Sequence, residues 1–335
     1  MTMKKTMPDP RLASRETRAT RNVLRRLERL AQAGESAAQT SLGDCYWDGH
    51  GVPVDWTEAV SWYQRAAVAG DAEAQFRLAI ACWDGSGIAI DMDAALSWFR
   101  QAAENGHACA QYVLGLVLLK QENPEPDFTE AFRWIFRAAN AGLAPAQGVL
   151  GDLYRQGTGV TQGQAEAYCW YQAAASQRDA HGLYRLGQMC QEGWGWIPNA
   201  AKKALECFRR AAVQGHVDAS FLVGMAYLRG EGTKKSPSAA VVWLQRAATA
   251  DHAEAQWRLG TIFLEGTLPG RMPDPVLARA LFAQSARLGC ADAQFVLVQQ
   301  ESNFWLLRIR DKNHLGRCPR PRDFQGIWRR LKSVA

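Results

Sequence analysis

The sequence predicts an all-α protein, namely an α/α superhelical solenoid of about seven to eight helix-turn-helix repeats with atypical capping helices at both ends. Self-similarity supports this prediction, because a turn marker recurs at intervals of 36, 36, 36, 36, 37, 36 and 38 residues. Each interval also holds two stretches with the apolar period of a helix. Fixed-period repetition favours one elongated array over several separate domains. The markers are Gly34, Gly70, Gly106, Gly142, Arg178, Gly215, Asp251 and Gly289.

The repeat is clearest in residues 69–104, AGDAEAQFRLAIACWDGSGIAIDMDAALSWFRQAAE. Leu78 and Cys82 lie at helical spacing, and the glycine-rich residues 85–87 then interrupt the pattern. A second helical pattern follows and carries Trp98 and Phe99. The unit is therefore expected to be an antiparallel hairpin of a first and a second helix.

The glycines predict the two turns of each repeat. Each marker predicts the end of a second helix, where glycine adopts the left-handed conformation without a steric penalty. Arg178 and Asp251 depart from this rule and are expected to weaken their turns. Gly-x-Gly sequences end the first helices, and because a dinucleotide fingerprint would follow a strand, we interpret them as turns and not as phosphate sites. They lie at residues 49–51, 85–87, 157–159, 193–195 and 230–232.

Two recurring positions predict how the helices pack. Each first helix has a small residue that lets its partner approach closely, and this series is Gly43, Ala79, Gly115, Gly151, Gly187, Gly224 and Gly260. Each second helix has a bulky pair, namely Trp62-Tyr63, Trp98-Phe99, Trp134-Ile135, Trp170-Tyr171, Cys207-Phe208, Trp243-Leu244 and Leu281-Phe282. A bulky side chain opposite a small one fills a core well, so we interpret these tryptophans as structural.

The shared pattern AxxGxxxAQxxLGxxYxxGxGVxxDxxxAxxWYxxAA resembles the Sel-1-like repeat, a relative of the tetratricopeptide repeat. The resemblance covers residues 33–299 and is nearly complete in residues 33–67. The third repeat has KQENPEP in place of the GxGV turn, and the seventh has GTLPGRMPDP; both loops are expected to adopt shapes of their own. The resemblance implies an α/α superhelix that acts as an adaptor or scaffold.

The chain divides into four parts on this basis. Residues 1–13 are expected to be a flexible basic leader, 14–33 a capping helix with Val23, Leu27 and Leu30 on its packing face, and 34–300 the solenoid. Residues 301–335 form a basic C-terminal segment. Within it, apolar residues at i, i+3, i+4 and i+7 predict a short amphipathic helix, which could cap the last repeat, dock on a protein or contact a membrane surface. These residues are Phe324, Ile327, Trp328 and Leu331.

The formal net charge of +6 conceals an acidic body between two basic ends. Residues 1–32 and residues 300–335 each hold nine Lys and Arg against three Asp and Glu, so the rest of the chain has a net charge of −6. The basic ends lack a nucleic-acid motif, and nucleic acid is not the expected partner. The longest apolar run is too short to span a membrane, and no apolar segment follows the N-terminal lysines as in a secretory signal.

Eight cysteines without a CxxC pair or regular spacing favour a reducing compartment, so the cytoplasm is the expected location. We interpret most of them as small core residues. His107, His216 and His252 occupy one column at the start of first helices, where a capping role is expected. No spacing suggests a catalytic group, a metal site or a cofactor, and the sequence predicts no enzyme.

The candidate binding site is the inner wall of the superhelix. By analogy with tetratricopeptide geometry, the wall is reached from positions six and three before the small residue and one and four after it. The predicted groove residues are Trp47, Phe76, Trp83, Tyr112, Leu116, Leu119, Tyr184, Phe221, Leu228, Trp257 and Phe295, with Ile80, Met225 and Leu264 in the same columns. Repeat four places Pro145, Gly148, Asp152 and Arg155 there and is expected to interrupt the apolar surface. Some of these rings could instead belong to the core.

These observations predict an adaptor that binds another protein, as an extended segment or an amphipathic helix, in an apolar, acid-rimmed groove. Two alternatives stay open. One is a hydrolase-like repeat protein acting on cell-wall-type substrates, which the lack of a clustered catalytic arrangement disfavours. The other is a nucleic-acid-associated protein that uses the basic termini.

Overall fold

The computed structural model describes residues 22–120, 127–193, 199–268 and 272–298, and all regular structure within these ranges is helical. The predicted all-α fold is confirmed. The helices are α1 (22–32), α2 (Ser36–Asp48), α3 (Trp56–Val68), α4 (Ala72–Asp84), α5 (Met92–Glu104), α6 (Ala108–Lys120), α7 (Phe128–Asn140), α8 (Ala144–Gln156), α9 (Gln164–Ser176), α10 (Ala180–Gln191), α11 (Ala200–Val213), α12 (Val217–Arg229), α13 (Pro237–Thr249), α14 (Ala253–Glu265), α15 (Pro275–Arg287) and α16 (291–298).

The chain divides into two compact units, residues 1–189 and residues 190–335, with the boundary inside the last turn of α10. Consecutive helices pack as hairpins, which are α2–α3, α4–α5, α6–α7 and α8–α9 in the first unit and α12–α13 and α14–α15 in the second. Within each unit, a second helix also packs against the first helix of the following repeat, for example α3 against α4 and α13 against α14. The predicted solenoid of helix-turn-helix repeats is confirmed.

Side-chain caps start the helices. Asp55, Asp91 and Asp127 precede second helices, and each carboxylate accepts a hydrogen bond from the backbone N–H three residues later. The histidine column does the same for first helices, since a ring nitrogen of His107 accepts from the Ala110 N–H at 3.1 Å. His216 and His252 cap their helices in the same way. The predicted capping role of this column is confirmed.

The repeat markers all have the left-handed backbone expected of them, with φ between 57° and 91°. Six are glycines, but Arg178 (φ 65°) and Asp251 (φ 57°) adopt the same conformation with a side chain attached. A non-glycine residue is strained there, and arginine more than aspartate, whose short side chain tolerates this region better. The packing of the repeat therefore imposes the left-handed turn even on residues whose own backbone preference disfavours it.

Replacing Arg178 with glycine is expected to raise the free energy of unfolding by about 0.5–1 kcal/mol, because relief of strain exceeds the added entropy of the unfolded chain. Asp251→Gly should raise the free energy of unfolding by less, because aspartate is less strained than arginine in the left-handed conformation. Chemical denaturation measures both. As a control, Gln172→Gly at an exposed position inside α9 should destabilise by about 1 kcal/mol. A loss of stability on Arg178→Gly would contradict the assignment of strain to this turn.

The small-residue column allows close helix approach, as predicted. A Cβ added to Gly115 would lie 2.5 Å from Ile135 Cγ1, and one added to Gly151 would lie 2.5 Å from Tyr171 Cε1. In five repeats, those of Gly43, Gly115, Gly151, Gly224 and Gly260, the second member of the bulky pair fills the space above the glycine. The first member of the pair packs against the preceding repeat. Trp62, for example, belongs to a cluster with Ala31 of α1, which precedes the first hairpin. Trp62 and Trp134 are buried, so their predicted structural role is confirmed.

A column of buried glutamines joins neighbouring hairpins. Each donates from Nε2 to the backbone carbonyl eight residues earlier, at the end of the preceding second helix, over 3.0–3.2 Å. These residues are Gln39, Gln75, Gln111, Gln147 and Gln256. In repeats two and four the free Oε1 accepts a hydrogen bond from Asn105 or Gln177 at 2.9 Å. These hydrogen bonds give the carbonyl groups at the end of each preceding helix a donor that the helix itself does not supply. They explain why the repeat pattern has glutamine after alanine.

The first helix, α1, caps the first hairpin, but with a different face from the one predicted. Leu24 and Leu27 pack against the cluster that contains Ala31, whereas Val23 and Leu30 are exposed. The prediction that Val23 and Leu30 lie on the packing face is therefore wrong. The reason is that buried Ala31 sets the contact line, and residues 24, 27 and 31 share its face of the helix. Residues 1–21 lie outside the described ranges.

At the other end, α16 is the first helix of an eighth, incomplete repeat. The predicted C-terminal helix with Phe324, Ile327, Trp328 and Leu331 lies outside the described residues. So do residues 121–126 of the third-repeat loop and residues 269–271 of the seventh.

Candidate functional site

The predicted groove residues occupy first helices of both units, and in each unit we call their combined side chains the first-helix wall of that unit. Nine of the eleven predicted residues are partly buried, while Trp83 and Phe295 are exposed. Of the additional residues, Ile80 is partly buried and Leu264 is exposed, but Met225 is buried, so its assignment to an accessible surface is wrong. Met225 is enclosed in its hairpin, unlike Ile80 and Leu116 at the same position of their repeats.

In the first unit, aromatic rings of the wall rest on rings of the core. The Trp47 ring centroid lies 6.1 Å from that of Tyr63 and 6.2 Å from that of Trp56. Phe76 lies 5.8 Å from Phe99, and its ring stacks on the capping imidazole of His107 at 4.4 Å. Trp47 and Phe76 are each partly buried. The buried part of each ring packs on the core of its hairpin, and the remaining part contributes to the surface.

Trp83 is the most accessible ring of this part of the wall, with 44% of its surface exposed. Its edge contacts Phe99 at a centroid distance of 6.3 Å, which orients the indole without covering it. An exposed tryptophan held by one ring contact presents a large apolar surface at little conformational cost.

The remaining wall residues of the first unit are held by different means. Tyr112 and Leu119 pack against the core cluster of Ile135 and Leu150, and Leu116 is partly buried on the same helix. Burial, with a contribution from the negative charge of Asp179, raises the pKa of the Tyr112 hydroxyl, which therefore stays protonated at neutral pH. The Tyr184 hydroxyl accepts a hydrogen bond from Gln188 at 2.9 Å.

The second unit repeats two of these arrangements. Phe221 stacks on the capping imidazole of His252 at 4.6 Å, as Phe76 does on His107. The guanidinium of Arg258 lies 4.2 Å from the Trp257 ring centroid, a cation–π contact. Leu228 packs against the same core cluster as Phe221 and Trp257, whereas Phe295 is 62% exposed on α16.

Repeat four interrupts the apolar wall with a polar cluster. The Asp152 carboxylate accepts a hydrogen bond from Tyr171 at 2.7 Å, lies 2.6 Å from His181 Nε2 and forms an ion pair with Arg185 at 2.8 Å. Burial alone would raise the pKa of Asp152, but the hydrogen bonds from His181 and Tyr171 and the nearby positive charges lower it. Gly148 makes room for this cluster, since a Cβ there would lie 3.1 Å from His181. Pro145 is exposed and Arg155 is partly buried.

A second polar cluster follows the same plan in repeat one. Tyr63 donates to Asp44 at 2.8 Å, and Arg77 of the next repeat lies 3.5 Å from Asp44 and 2.9 Å from Glu73. Burial first, and then the hydrogen bond to Asp44, raise the pKa of Tyr63. His107 extends the cluster, with its Nε2 2.9 Å from Glu73.

Neither cluster was predicted from the sequence, although a signal was available. Asp follows the small residue in repeats one and four, which are also the repeats with a tyrosine in the second bulky position. In each case the following repeat has an arginine two residues before its small residue. This co-occurrence of three residue types across two repeats marks a contact between them.

Several cysteines of the described residues belong to the core. Burial raises the pKa of the Cys82 and Cys190 thiols and raises that of Cys207 to about 11, so these thiols stay protonated at neutral pH. Cys82, Cys190 and Cys207 are buried as predicted, but Cys169 is exposed, so it is not a core residue. In the described ranges, no three metal-ligating side chains lie together.

The repeat architecture and its turn chemistry agree with one family model. The Sel1 repeat matches residues 36–71, 72–107, 110–143, 144–179, 180–216, 217–252 and 253–290. The chain belongs to the Sel1 repeat family. Proteins of this family generally act as non-enzymatic scaffolds for protein–protein interaction.

Two solved structures are similar over most of the chain. A Sel1 repeat protein from Oxalobacter formigenes is 30% identical with a TM-score of 0.64, covering 88% of this chain and 83% of that one. A protective antigen present in uropathogenic Escherichia coli strains, with an SLR fold, is 29% identical with a TM-score of 0.71. That match covers 82% of this chain but 58% of the antigen's, so the chain spans little more than half of its length. No curated protein shows significant similarity to this Sel1 repeat chain.

Among the described residues, no helix has the length and apolar character needed to cross a membrane.

Proposed function

We propose that this Sel1 repeat protein is a scaffold that binds an extended segment or an amphipathic helix of another protein along the first-helix wall of the first unit. The observation that carries this proposal is the row of accessible apolar side chains that the first helices hold in place. Trp83 is its strongest member, because its indole is exposed and rests against the ring of Phe99. Tryptophans of this kind are enriched among residues that dominate binding energy.

Charge on the wall favours a partner whose apolar residues are flanked by basic ones. Asp48 and Asp84 are exposed and follow Trp47 and Trp83 directly in the chain. Acidic residues around an apolar centre steer a basic segment towards it and exclude acidic ones. The proposed groove is therefore apolar at its centre and acidic at its rim.

The test is affinity capture from an extract of the native cells with wild-type protein and with Trp83→Glu. A partner of the groove should be retained by the wild type and lose at least about tenfold in affinity on Trp83→Glu, because a buried charge replaces an aromatic anchor. Val68→Glu is the matched control, since this exposed valine ends the second helix α3 and lies off the wall.

The helicity and melting temperature of both variants should match those of the wild type. If every captured protein binds the two variants equally well, the first-helix wall is not the binding surface.

We further propose a cytoplasmic location and a binding role without catalysis. The cysteines of the described residues support this location, because all are free thiols and paired cysteines are typical of oxidising compartments.

A further inference from the structure

The second unit has an open groove on the side of its second helices. It lies between α13 and α15, has a volume of about 620 Å³, and has residues of α14 at its floor. Val241 and Ala248 contribute from α13, Leu259 and Phe263 from α14, and Leu277 and Leu281 from α15. The groove is thus built from the hairpin α14–α15 and from α13, the second helix of the preceding repeat.

In five of the other six repeats a tryptophan occupies the equivalent position, and repeat five has Cys207 there. Trp62 lies in a cluster with Ala31, Ala38 and Leu42, which come from the preceding second helix and the first helix of its own hairpin. Trp134 lies in a cluster with the matching residues of its repeat, which are Ala103, Ala110 and Leu114. Trp170 packs against the cluster that contains Ala139, Ala146 and Leu150. The three clusters define one repeated tryptophan slot.

Repeat seven builds the same slot without the tryptophan. Its walls are Ala248, Ala255 and Leu259, at the positions of Ala31, Ala38 and Leu42. Leu281 occupies the tryptophan position and packs against this cluster, but leucine is too small to fill a space shaped for an indole. The groove is therefore the unfilled tryptophan slot of the seventh repeat.

A polar atom at the floor of this groove also lacks the hydrogen-bond donor that it has in repeats two and four. Gln256 is only 3% exposed, and among the described residues nothing donates a hydrogen bond to its buried Oε1. In repeats two and four, Asn105 and Gln177 donate to the equivalent oxygen, but here Leu288 stands in their place. A buried acceptor without a donor is unfavourable, so the floor of this groove is less well satisfied than in repeats two and four.

We propose that the chain's own C-terminal segment, residues 320–335, docks in this groove with Trp328 in the empty tryptophan slot. The described chain ends at residue 298 in α16, the helix that follows α15, and 37 residues continue from there. The segment offers Phe324, Ile327, Trp328 and Leu331 at the spacing of one helical face, together with N–H donors of the indole and of Arg329 and Arg330.

A tethered segment is the favoured occupant because its effective concentration at a nearby site reaches the millimolar range, above that of a free partner. The proposal concerns the second-helix side and does not depend on binding at the first-helix wall.

Hydrogen–deuterium exchange of the full-length protein tests the proposal directly. Amides of residues 324–331 should exchange at least about tenfold more slowly than an unstructured chain, as expected for a docked segment. Leu281→Trp restores the tryptophan of the other repeats, fills the slot from within and should remove that protection. Val276→Trp is the matched control, because this exposed residue of α15 receives the same ring on a side that does not line the groove.

A second pair of variants guards against a folding defect in Leu281→Trp. Trp328→Ala should release the segment while the exchange of α13–α15 stays unchanged, and Trp305→Ala should leave the segment protected. Unprotected amides at 324–331 in the wild type would overturn the proposal. So would protection that survives Leu281→Trp, because the segment would then dock elsewhere.

Discussion

Replacing Gly115 with leucine is expected to lower the free energy of unfolding of the first unit by about 3 kcal/mol or more. Gly115 is buried in α6, where a Cβ alone would lie 2.5 Å from Ile135 Cγ1 and 3.2 Å from the Ala131 carbonyl oxygen. The nearest side chain is the fully buried Ile135, which has no space to move into. A leucine would therefore force α6 and α7 apart.

The effect should spread beyond one hairpin. In a stack of repeats each hairpin is stabilised chiefly by its neighbours, so a separated pair also weakens the contacts of α5 with α6 and of α7 with α8. Urea denaturation followed by circular dichroism measures the change, and a lower slope of the transition would report a loss of cooperativity.

Gly106→Ala provides the control for backbone strain without crowding. Gly106 has φ of 89°, and a Cβ added to it would have no neighbouring atom within 4 Å, so alanine there should cost about 1–2 kcal/mol through the left-handed backbone alone. Equal losses for Gly115→Leu and Gly106→Ala would mean that the α6–α7 crossing is not tightly packed at this glycine.

Local chemistry made the repeat predictable from the sequence. Residues such as Asp55 and Gly70 act on the backbone beside them, so a cap or a left-handed turn follows from residue type and position. The small residue Gly43 and the bulky Tyr63 are twenty positions apart, but the fixed period exposes their relation because it recurs in other repeats.

Contacts that depend on one particular neighbour were harder to predict. The packing face of α1 follows from Ala31, whose small side chain carries a weak apolar signal beside Val23 and Leu30. The buried Gln75 bonds a backbone carbonyl of the preceding hairpin, and a backbone group leaves no trace in the side-chain pattern.

The first-helix wall illustrates the same limit. The spacing of apolar residues in the sequence correctly predicted that Phe76 and Trp83 lie on first helices. It does not predict what fraction of each ring is buried. Phe76 is partly covered by His107 of the next repeat, whereas Trp83 is contacted at its edge by Phe99 and stays exposed. The use of the wall in binding therefore stays a prediction.

Replacing Asp152 with alanine is expected to lower the free energy of unfolding by about 2–3 kcal/mol at neutral pH. The carboxylate is largely buried, and its loss leaves the Tyr171 hydroxyl, the His181 imidazole and the Arg185 guanidinium without their shared acceptor. Asp44→Ala is the matched control, because Asp44 is the equivalent aspartate of repeat one and its side chain is more exposed. This substitution should lower the free energy of unfolding by about 1 kcal/mol or less.

The pH dependence of this difference identifies its cause. Because interactions in the folded state lower the pKa of Asp152, its contribution to stability is complete above the unfolded value of about 3.9 and declines as the pH falls through the lower folded value. The stability gap between wild type and Asp152→Ala should therefore narrow as the pH falls from about 5 to below about 4. Denaturation series at these pH values measure it. A gap that persists unchanged at the lowest pH would assign the loss to packing and not to the ionised carboxylate.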